Sequence, residues 1–151
     1  MDIFCKHYDD LSRDELYGIL QLRAEVFVVE QNCPYQDLDG NDFNAIHIWA
    51  AEAGKIIGCL RVFLKDDGNA TIGRVVTKKE VRGTGLGLSL MQEGIRLCWN
   101  LYGDTPIVIH AQSYATGFYE KCGFRVSSEE FPEDGIPHHE MTLSFDSPEK
   151  D

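Results

Sequence analysis

The chain of 151 residues is long enough for one domain with a well-buried core, and its 43% hydrophobic and 11% aromatic content is typical of a folded globular protein. The formal net charge of −11 argues against nucleic acid and anionic membranes as partners, because both bind basic surfaces. No apolar run is long enough to cross a bilayer and the first residues lack a signal-peptide layout, so we expect a cytoplasmic protein.

Neither the cysteines nor the acidic loop predicts a metal site. The cysteines are scattered singly, with no C-x-x-C pair, which favours buried thiols in a reducing compartment over disulfides or zinc. The D-x-D-G-x-D pattern at 37–42 imitates part of a calcium loop but lacks the glycine and the glutamate that such a loop needs. We therefore expect no metal. The cysteines are Cys5, Cys33, Cys59, Cys98 and Cys122.

The first half of the chain predicts a strand, a helix and an antiparallel meander. Residues 2–8 alternate in polarity as a strand does. Ser12 and Glu15 form the capping box of a helix that runs to about Val29, and a polar loop follows. Short turn signals then separate three β-branched segments, which predicts three antiparallel strands. These strands are expected at 45–53, 56–65 and 70–77.

The most informative stretch joins the strand at 70–77 to a helix that begins at Leu86 and ends near Gly103. Between them lie Arg82 and glycines at alternate positions. The first N–H groups of a helix lack backbone partners, and glycines permit positive φ and close approach of a ligand. Together with the arginine fork, this pattern predicts a cradle for an anion. The glycines are Gly83, Gly85 and Gly87.

The positive charge beside this loop also favours an anionic ligand. Although the protein is acidic overall, Lys78, Lys79 and Arg82 lie together next to the glycines. The loop is not a Rossmann fingerprint, since leucines replace the third glycine, and no Gly-Lys-Ser/Thr of a P-loop follows. It reads R-x-x-G-x-G.

The second half predicts an apolar inner strand at 106–112, which should lie parallel to the strand at 70–77 because a helix crosses between them. Ser113 is expected to cap a short helix that ends at Gly123, and further strands are expected at 124–128 and 140–145. The tail at 146–151 is polar and is expected to be disordered. No repeat or linker interrupts residues 1–151, so the sequence predicts a single α+β domain around a mixed sheet.

Two motifs resemble those of GNAT acetyltransferases. They are R-x-x-G-x-G, from Arg82 to Gly87, and F-Y-x-x-x-G-F, from Phe118 to Phe124. The stretches 22–39 and 133–138 are similar to ElaA-type members of that family. The resemblance covers residues 2–145 and implies a fold in which the strands at 70–77 and 106–112 splay apart. It also implies an enzyme that moves an acetyl group from acetyl-CoA to a primary amine by direct attack in a ternary complex.

The resemblance further implies roles for particular residues. The backbone edge of the strand at 70–77 would bind pantetheine as an added strand does, and a backbone N–H near Val75 would stabilise the oxyanion. Tyr119 would protonate the departing CoA thiolate as general acid. The implied cofactor-binding residues are Val75, Val76, Thr77, Arg82, Gly83, Thr84, Gly85, Leu86 and Gly87.

The identity of the general base stays open at this point, because the strand at 70–77 lacks the carboxylate that many relatives place there. Candidates are Glu30, His47 with its near-neutral titration, or water. Arg74 could orient a substrate carboxylate or pair with the acids of the 30–42 loop. Substrate contacts are expected from Phe27, Gln31, Arg74 and Gln112.

The acceptor pocket of such a fold would be walled by residues 31–42 and 129–139, both rich in acids, so we expect a cationic acceptor such as a small amine or a peptide or protein amine. Two alternatives remain: an enzyme like the acyl-homoserine-lactone synthases, which share an Arg-x-x-Val-Phe segment like Arg23 to Phe27, and an acyl-CoA-binding module without catalysis. A homodimer is compatible with the sequence, although no feature requires it.

Overall fold

A computed structural model describes residues 1–145 as one mixed eight-stranded sheet with helices on both faces. The predicted tail at 146–151 lies outside the described residues. No described helix combines the length and apolarity needed to span a bilayer. The strands are β1 (Asp2–His7), β2 (Ile46–Glu52), β3 (Lys55–Leu64), β4 (Ala70–Thr77), β5 (Ile107–Gln112), β6 (Arg125–Val126), β7 (Phe131–Glu133) and β8 (Ile136–Leu143).

The helices lie between these strands, and short 3₁₀ turns join several elements. α1 is extended at its C-terminal end by a π-helical segment, so the helix predicted to end near Val29 reaches Glu30 with its last seven residues in π geometry. The helices are α1 (Arg13–Arg23), its π extension (Ala24–Glu30), α2 (Leu86–Tyr102) and α3 (Thr116–Lys121). The 3₁₀ turns are Tyr8–Asp10, Asn41–Asn44, Lys79–Val81 and Ser113–Ala115.

The strand order is β1-β2-β3-β4-β5-β8-β6, with β7 paired to β8. β2, β3 and β4 form the predicted antiparallel meander, and β1 pairs antiparallel with β2 at its edge. β4 and β5 run parallel, as predicted from the helical crossover. Within the described residues their ladder consists of the single pair Ala70 and Ile107, so the two strands diverge towards their C-terminal ends. The predicted splay between them is confirmed.

A β-bulge interrupts β4 where the two strands diverge. Arg74 and Val75 lie together opposite the single β3 residue Leu60. Arg74 takes the left-handed conformation with φ 51°, which costs a non-glycine residue about 1–2 kcal/mol. A bulge bends its strand and increases the local twist, so this bulge contributes to the divergence of β4 from β5.

Strand alternation divides the core between the two faces of the sheet. One face packs against α2, where Leu90, Met91 and Cys98 are fully buried against β3 and β5 residues. The other face packs against α1, where Ile19 and Leu22 contact β2 and β3 side chains. Successive side chains of a strand point to opposite faces, so β2, β3 and β4 each contribute to both clusters.

Local capping confirms one predicted helix start and corrects another. Ser12 accepts a hydrogen bond from Glu15 N–H, and Glu15 returns one from Ser12 N–H, as the capping box predicts. Ser113 does not cap α3, whose N-cap is Ala115 without a side-chain bond. Its hydroxyl contacts Glu130 and His139 instead, because a 3₁₀ turn separates it from the helix.

The end of the chain differs most from prediction. The strand predicted at 124–128 is reduced to the two residues of β6, and the one predicted at 140–145 begins earlier, as β8. β7 was not predicted. It pairs with β8 across a turn at Asp134 and Gly135, both at positive φ. The sequence signal for this hairpin is the Asp-Gly pair, which the prediction treated as part of a loop.

Candidate active site

A cleft of about 470 Å³ opens where β4 and β5 diverge. Its walls come from β4, β5, the π segment of α1, α3 and the β7–β8 hairpin. Eleven predicted site residues line it: Phe27, Glu30, Gln31, Arg74, Val75, Val76, Thr77, Arg82, Gly87, Gln112 and Tyr119. The structure therefore gathers the two motifs and the π segment around a single space.

One end of the cleft adjoins the glycine loop, whose geometry fits an anion. Gly83 and Gly85 have φ 83° and 90°, and a Cβ added to either would meet no atom within 4 Å. Gly85 is the N-cap of α2, and no side chain caps this helix. The first helical bond runs from Ser89 N–H to the Gly85 carbonyl, so the preceding N–H groups have no helical partner. Open space, free donors and the positive end of the helix dipole together favour bound phosphate.

The other loop residues have different roles. Gly87 lies inside α2, where a Cβ would make an ordinary van der Waals contact with the Phe118 ring at 3.4 Å, so the two motifs pack against each other at this position. The Leu86 side chain is buried in the α2 core. The Thr84 hydroxyl donates to the Val81 carbonyl at 2.6 Å and holds the loop closed. Leu86 and Thr84 stand beside the cleft rather than in its wall, as do Gly83 and Gly85.

Arg82 crosses the mouth of the cleft to Glu30. Its Nη2 donates to Glu30 Oε1 at 2.9 Å and to the Thr77 carbonyl at 2.9 Å. The hydrogen bond from Arg82 lowers the pKa of the Glu30 carboxyl, and the same pair raises the pKa of Arg82. A carboxylate stabilised in its charged form is a poorer proton acceptor. The predicted base Glu30 therefore lies in the cleft but is paired with the predicted phosphate ligand.

His47 is not placed at the cleft, which argues against its expected role as a base. The ring is almost fully buried, and its Nε2 lies 3.1 Å from the Asp42 carbonyl. Burial lowers the pKa of His47, and the residue is not among those that line the cleft. It packs beneath the 41–44 turn because its position in β2 faces the loop.

Tyr119 lines the cleft from α3 with its ring packed edge-on against Phe118 and Phe124. Its hydroxyl makes no hydrogen bond to any residue that the structure describes. Burial raises the pKa of Tyr119, so the phenol keeps its proton through neutral pH. A protonated hydroxyl without a protein partner is available to donate to a ligand.

Two buried arginines neutralise the acidic loop between α1 and β2. Arg23 donates to Asp37 Oδ2 at 3.0 Å and to Asp42 Oδ1 at 2.7 Å. Arg61 donates to Asp39 Oδ2 at 2.7 Å and to Asp42 Oδ1 at 3.0 Å. Burial alone would raise the pKa of both Asp39 and Asp42, but the arginine hydrogen bonds outweigh it and hold both pKa values below the usual range.

Arg74 completes this network from the bulge of β4. Its Nε donates to Asp37 Oδ1 at 2.7 Å, and its Nη2 donates to the Asp37 carbonyl at 2.9 Å. The Tyr35 hydroxyl donates to Asp37 Oδ1 at 3.0 Å, and the guanidinium lies over the Tyr35 ring. Of the two roles expected for Arg74, the structure shows the pairing with loop acids. These bonds also hold the left-handed backbone of the bulge.

On the far side of the cleft, the π segment and β5 meet through amides. Gln31 Nε2 donates to Gln112 Oε1 at 3.2 Å and lies 3.2 Å from the Tyr114 hydroxyl. Phe27 lines the same wall. The four expected substrate-contact residues thus share one region, although Arg74 faces the loop.

Three titratable side chains of the cleft were not predicted as a group. His110 Nδ1 lies 2.8 Å from Glu133 Oε1, and His138 Nε2 lies 3.9 Å from Glu133 Oε2. Phe131 contacts both imidazole rings. They come from β5, β7 and β8, so only the hairpin pairing brings them together. Among the described residues, no group of three or more histidines, cysteines and acids is arranged to hold a metal.

Comparisons with known proteins match most of the chain to one family. A family model described as an acetyltransferase (GNAT) domain matches residues 9–145. The chain is 40% identical over 136 residues to Protein ElaA of Escherichia coli (strain K12), which covers 87% of this chain and 89% of the relative.

Solved structures extend the likeness to three dimensions. The crystal structure of Escherichia coli ElaA matches with TM-score 0.90 and 37% identity over 95% of this chain and 100% of that chain. An acyl-CoA N-acyltransferase from Pseudomonas aeruginosa matches with TM-score 0.90 and 40% identity over 95% and 100% of the two chains. An aminoglycoside 6'-N-acetyltransferase complexed with coenzyme A has TM-score 0.69 at 12% identity over 96% and 98%, which shows the shared fold.

Proposed function

The chain belongs to the GNAT acetyltransferase family as an ElaA-like acyltransferase that uses a CoA-type substrate, and we propose that it transfers an acetyl group from acetyl-CoA to a primary amine by direct attack in a ternary complex. The observation that carries this proposal is the cleft between β4 and β5. It joins an uncapped helix N-terminus at one end to the unpartnered Tyr119 hydroxyl in its wall.

The glycine loop supports the choice of a CoA thioester. Arg82, the free N–H groups at the start of α2 and the open space above Gly83 and Gly85 would hold the pyrophosphate. The edge of β4 at Val75, Val76 and Thr77 borders the cleft and would pair with the pantetheine amides. For Arg82 to bind phosphate, it must release the Glu30 carboxylate.

Two groups of this chain would then act on the thioester. Val75 lies in the bulge and lines the cleft, so its N–H would donate to the carbonyl oxygen and stabilise the negative charge that develops there. Tyr119 would give its proton to the sulfur as the thiolate departs. Because burial raises the pKa of Tyr119, the required protonated form is present at neutral pH.

The acceptor is proposed to be a cationic primary amine, either small or at the end of a peptide or protein side chain. The acid-rich loop at 31–42 contributes less to this than its sequence suggests, because arginines bind Asp37, Asp39 and Asp42. The acids that would attract a cation are instead Glu133 and Asp134, which line the cleft from the β7–β8 hairpin.

The test follows release of the CoA thiol from acetyl-CoA with spermidine, tyramine and lysine amide as acceptors. We expect turnover with at least one amine, and Tyr119→Phe should lower kcat about a hundredfold while leaving acetyl-CoA affinity unchanged. Tyr17→Phe is the matched control, because Tyr17 is exposed on α1, away from the cleft. Full activity in Tyr119→Phe would contradict the assigned acid. Binding of acetyl-CoA without thiol release for any amine would contradict transfer to amines.

A further inference from the structure

His138 lies on the face of the sheet where the acceptor side of the cleft forms. In the register of β5 and β8 it stands opposite Gln112, and residues directly opposite each other share a face. Gln112 bonds to Gln31 of the α1 side, so His138 faces that side too. The ring lines the cleft although its side chain is only 9% exposed.

One hydrogen bond fixes the tautomer of this ring. His138 Nδ1 lies 2.7 Å from the carbonyl oxygen of Ile136. A carbonyl oxygen can only accept, so Nδ1 must carry a hydrogen and donate it. In the neutral imidazole, Nε2 is then the nitrogen with a free lone pair. Phe131 lies against the ring and restricts its rotation.

Glu133 is placed to stabilise the ring after it accepts a proton. Its Oε2 lies 3.9 Å from His138 Nε2, and its Oε1 accepts from His110 Nδ1 at 2.8 Å. At these distances the carboxylate can act as the counter-ion of an imidazolium. His110 thus orients the carboxylate, and the carboxylate balances the charge on His138.

Resting on the proposed function, we propose that His138 is the general base that removes a proton from the acceptor ammonium, with Glu133 as its positioning partner. His138 Nε2 takes one proton from R–NH₃⁺, and the freed nitrogen lone pair forms the C–N bond to the thioester carbonyl carbon. The C–S bond then breaks and the sulfur takes the Tyr119 proton. Tyr119 regains a proton from the same nitrogen, and His138 releases its proton to solvent, so one H⁺ leaves per acetyl group transferred.

The remaining charged groups around the cleft do not compete for this role. Arg74 is paired with Asp37. Glu30 lies beside Arg82 at the mouth of the cleft, next to the glycine loop, whereas His138 lies on the acceptor side. The groups that face His138 or border the same space are His110 from β5, Glu133 and Asp134 from the β7–β8 hairpin, Arg74 from β4, Arg82 from the glycine loop, Glu30 from the π segment, and Tyr35, Tyr114 and Tyr119.

The test compares two nucleophiles that differ in their need for a base. Primary alkylamines lose a proton near pH 10 and are almost fully protonated at pH 7, whereas hydroxylamine is largely unprotonated there. His138→Asn retains an amide N–H for the Ile136 carbonyl but removes the lone pair. We expect it to lower kcat/KM about a hundredfold for the fastest of spermidine, tyramine and lysine amide at pH 7. Hydroxylamine turnover, corrected for the uncatalysed reaction, should be nearly unchanged.

Two further variants complete the design. Glu133→Gln alters an exposed side chain that should not disturb folding, and it should lower alkylamine turnover while sparing hydroxylamine. His139→Asn is the matched control, because its ring contacts Ser113 and does not line the cleft, and it should retain native turnover. Raising the pH towards the pKa of the acceptor ammonium should restore alkylamine turnover in His138→Asn, because the free amine is then present without a base.

Equal losses with both nucleophiles would show a structural role and overturn the assignment, as would native alkylamine turnover in His138→Asn. Acetyl-CoA binding, followed by thermal unfolding, separates the two proposals. Native protein that binds acetyl-CoA but turns over neither nucleophile would overturn the proposed function, and the base with it. Selective loss of alkylamine turnover supports both.

Discussion

Arginines meet carboxylates in two regions of this molecule, and the regions differ in burial. Beneath the loop at 37–42, the Arg23 and Arg61 side chains are 1% and 5% exposed, and each binds two aspartates. At the mouth of the cleft, the Arg82 and Glu30 side chains are 38% and 36% exposed and form one pair. The same chemistry therefore occurs once as an internal network and once as a surface pair.

Burial determines whether an arginine in an ion pair can exchange its carboxylate for another anion. Breaking a buried pair leaves an unpaired charge in a poorly solvated place, so such arginines are fixed in position. An exposed pair is weak, because water and salt replace the lost partner. Arg82 can therefore exchange Glu30 for a phosphate at little cost, whereas Arg23 cannot exchange its aspartates.

The largest effect is expected for Arg23→Met. The change leaves Asp37 and Asp42 without the arginine that joins them, and loss of one member of a buried ion pair typically costs about 3–5 kcal/mol. The matched variant is Arg82→Met, where the exposed pair should cost about 1 kcal/mol or less. Urea unfolding at pH 7 measures both. Similar free energies of unfolding for the two variants would remove the distinction between the regions.

A smaller effect is expected on the pH dependence of stability. The pKa of Asp39 is depressed in the folded protein, so this carboxylate stabilises the fold above the ordinary aspartate value near 4. That contribution is lost as pH falls from about 4 through the depressed pKa. Asp39→Asn lacks this contribution at every pH. The difference in free energy of unfolding between the native protein and Asp39→Asn should therefore shrink on acidification. Unfolding curves between pH 6 and pH 2 check this, and a constant deficit would contradict it.

The smallest effect should be a gain in affinity for acetyl-CoA. Glu30→Gln removes the carboxylate that competes for Arg82, so acetyl-CoA should bind more tightly. Because an exposed pair contributes about 1 kcal/mol or less, the gain should not exceed about fivefold. Titration calorimetry at low salt measures it, and 0.5 M salt should reduce it through screening. Weaker binding in Glu30→Gln would mean that Glu30 supports the ligand rather than competing with it.

Local signals predicted much of the fold and the cradle. The capping box at Ser12 and the positive φ of Gly83 and Gly85 depend on a few adjacent residues, so sequence suffices to find them. The parallel pairing of β4 and β5 followed from the helical crossover, which has one favoured hand.

Pairings between distant residues could not be predicted in the same way. The acids at 37–42 suggested a pocket for a cationic acceptor, but Arg74 and Asp37 are separated by 37 positions and meet only in the fold. His47 was a candidate base because of its chemistry, while its burial depends on the 41–44 turn. His138 and Glu133 were placed in an acid-rich loop at 129–139, because the short strand β7 was missed and with it the hairpin that positions them.

The most direct test of the cradle is thermal unfolding with and without acetyl-CoA, carried out on the native protein and on Arg82→Glu. A ligand that binds only the folded state stabilises it by about 2.7 kcal/mol at a hundredfold excess over Kd. We predict that acetyl-CoA raises the Tm of the native protein and has little effect on Arg82→Glu. If neither protein responds, the glycine loop only connects β4 to α2, and the proposed transfer from acetyl-CoA is wrong.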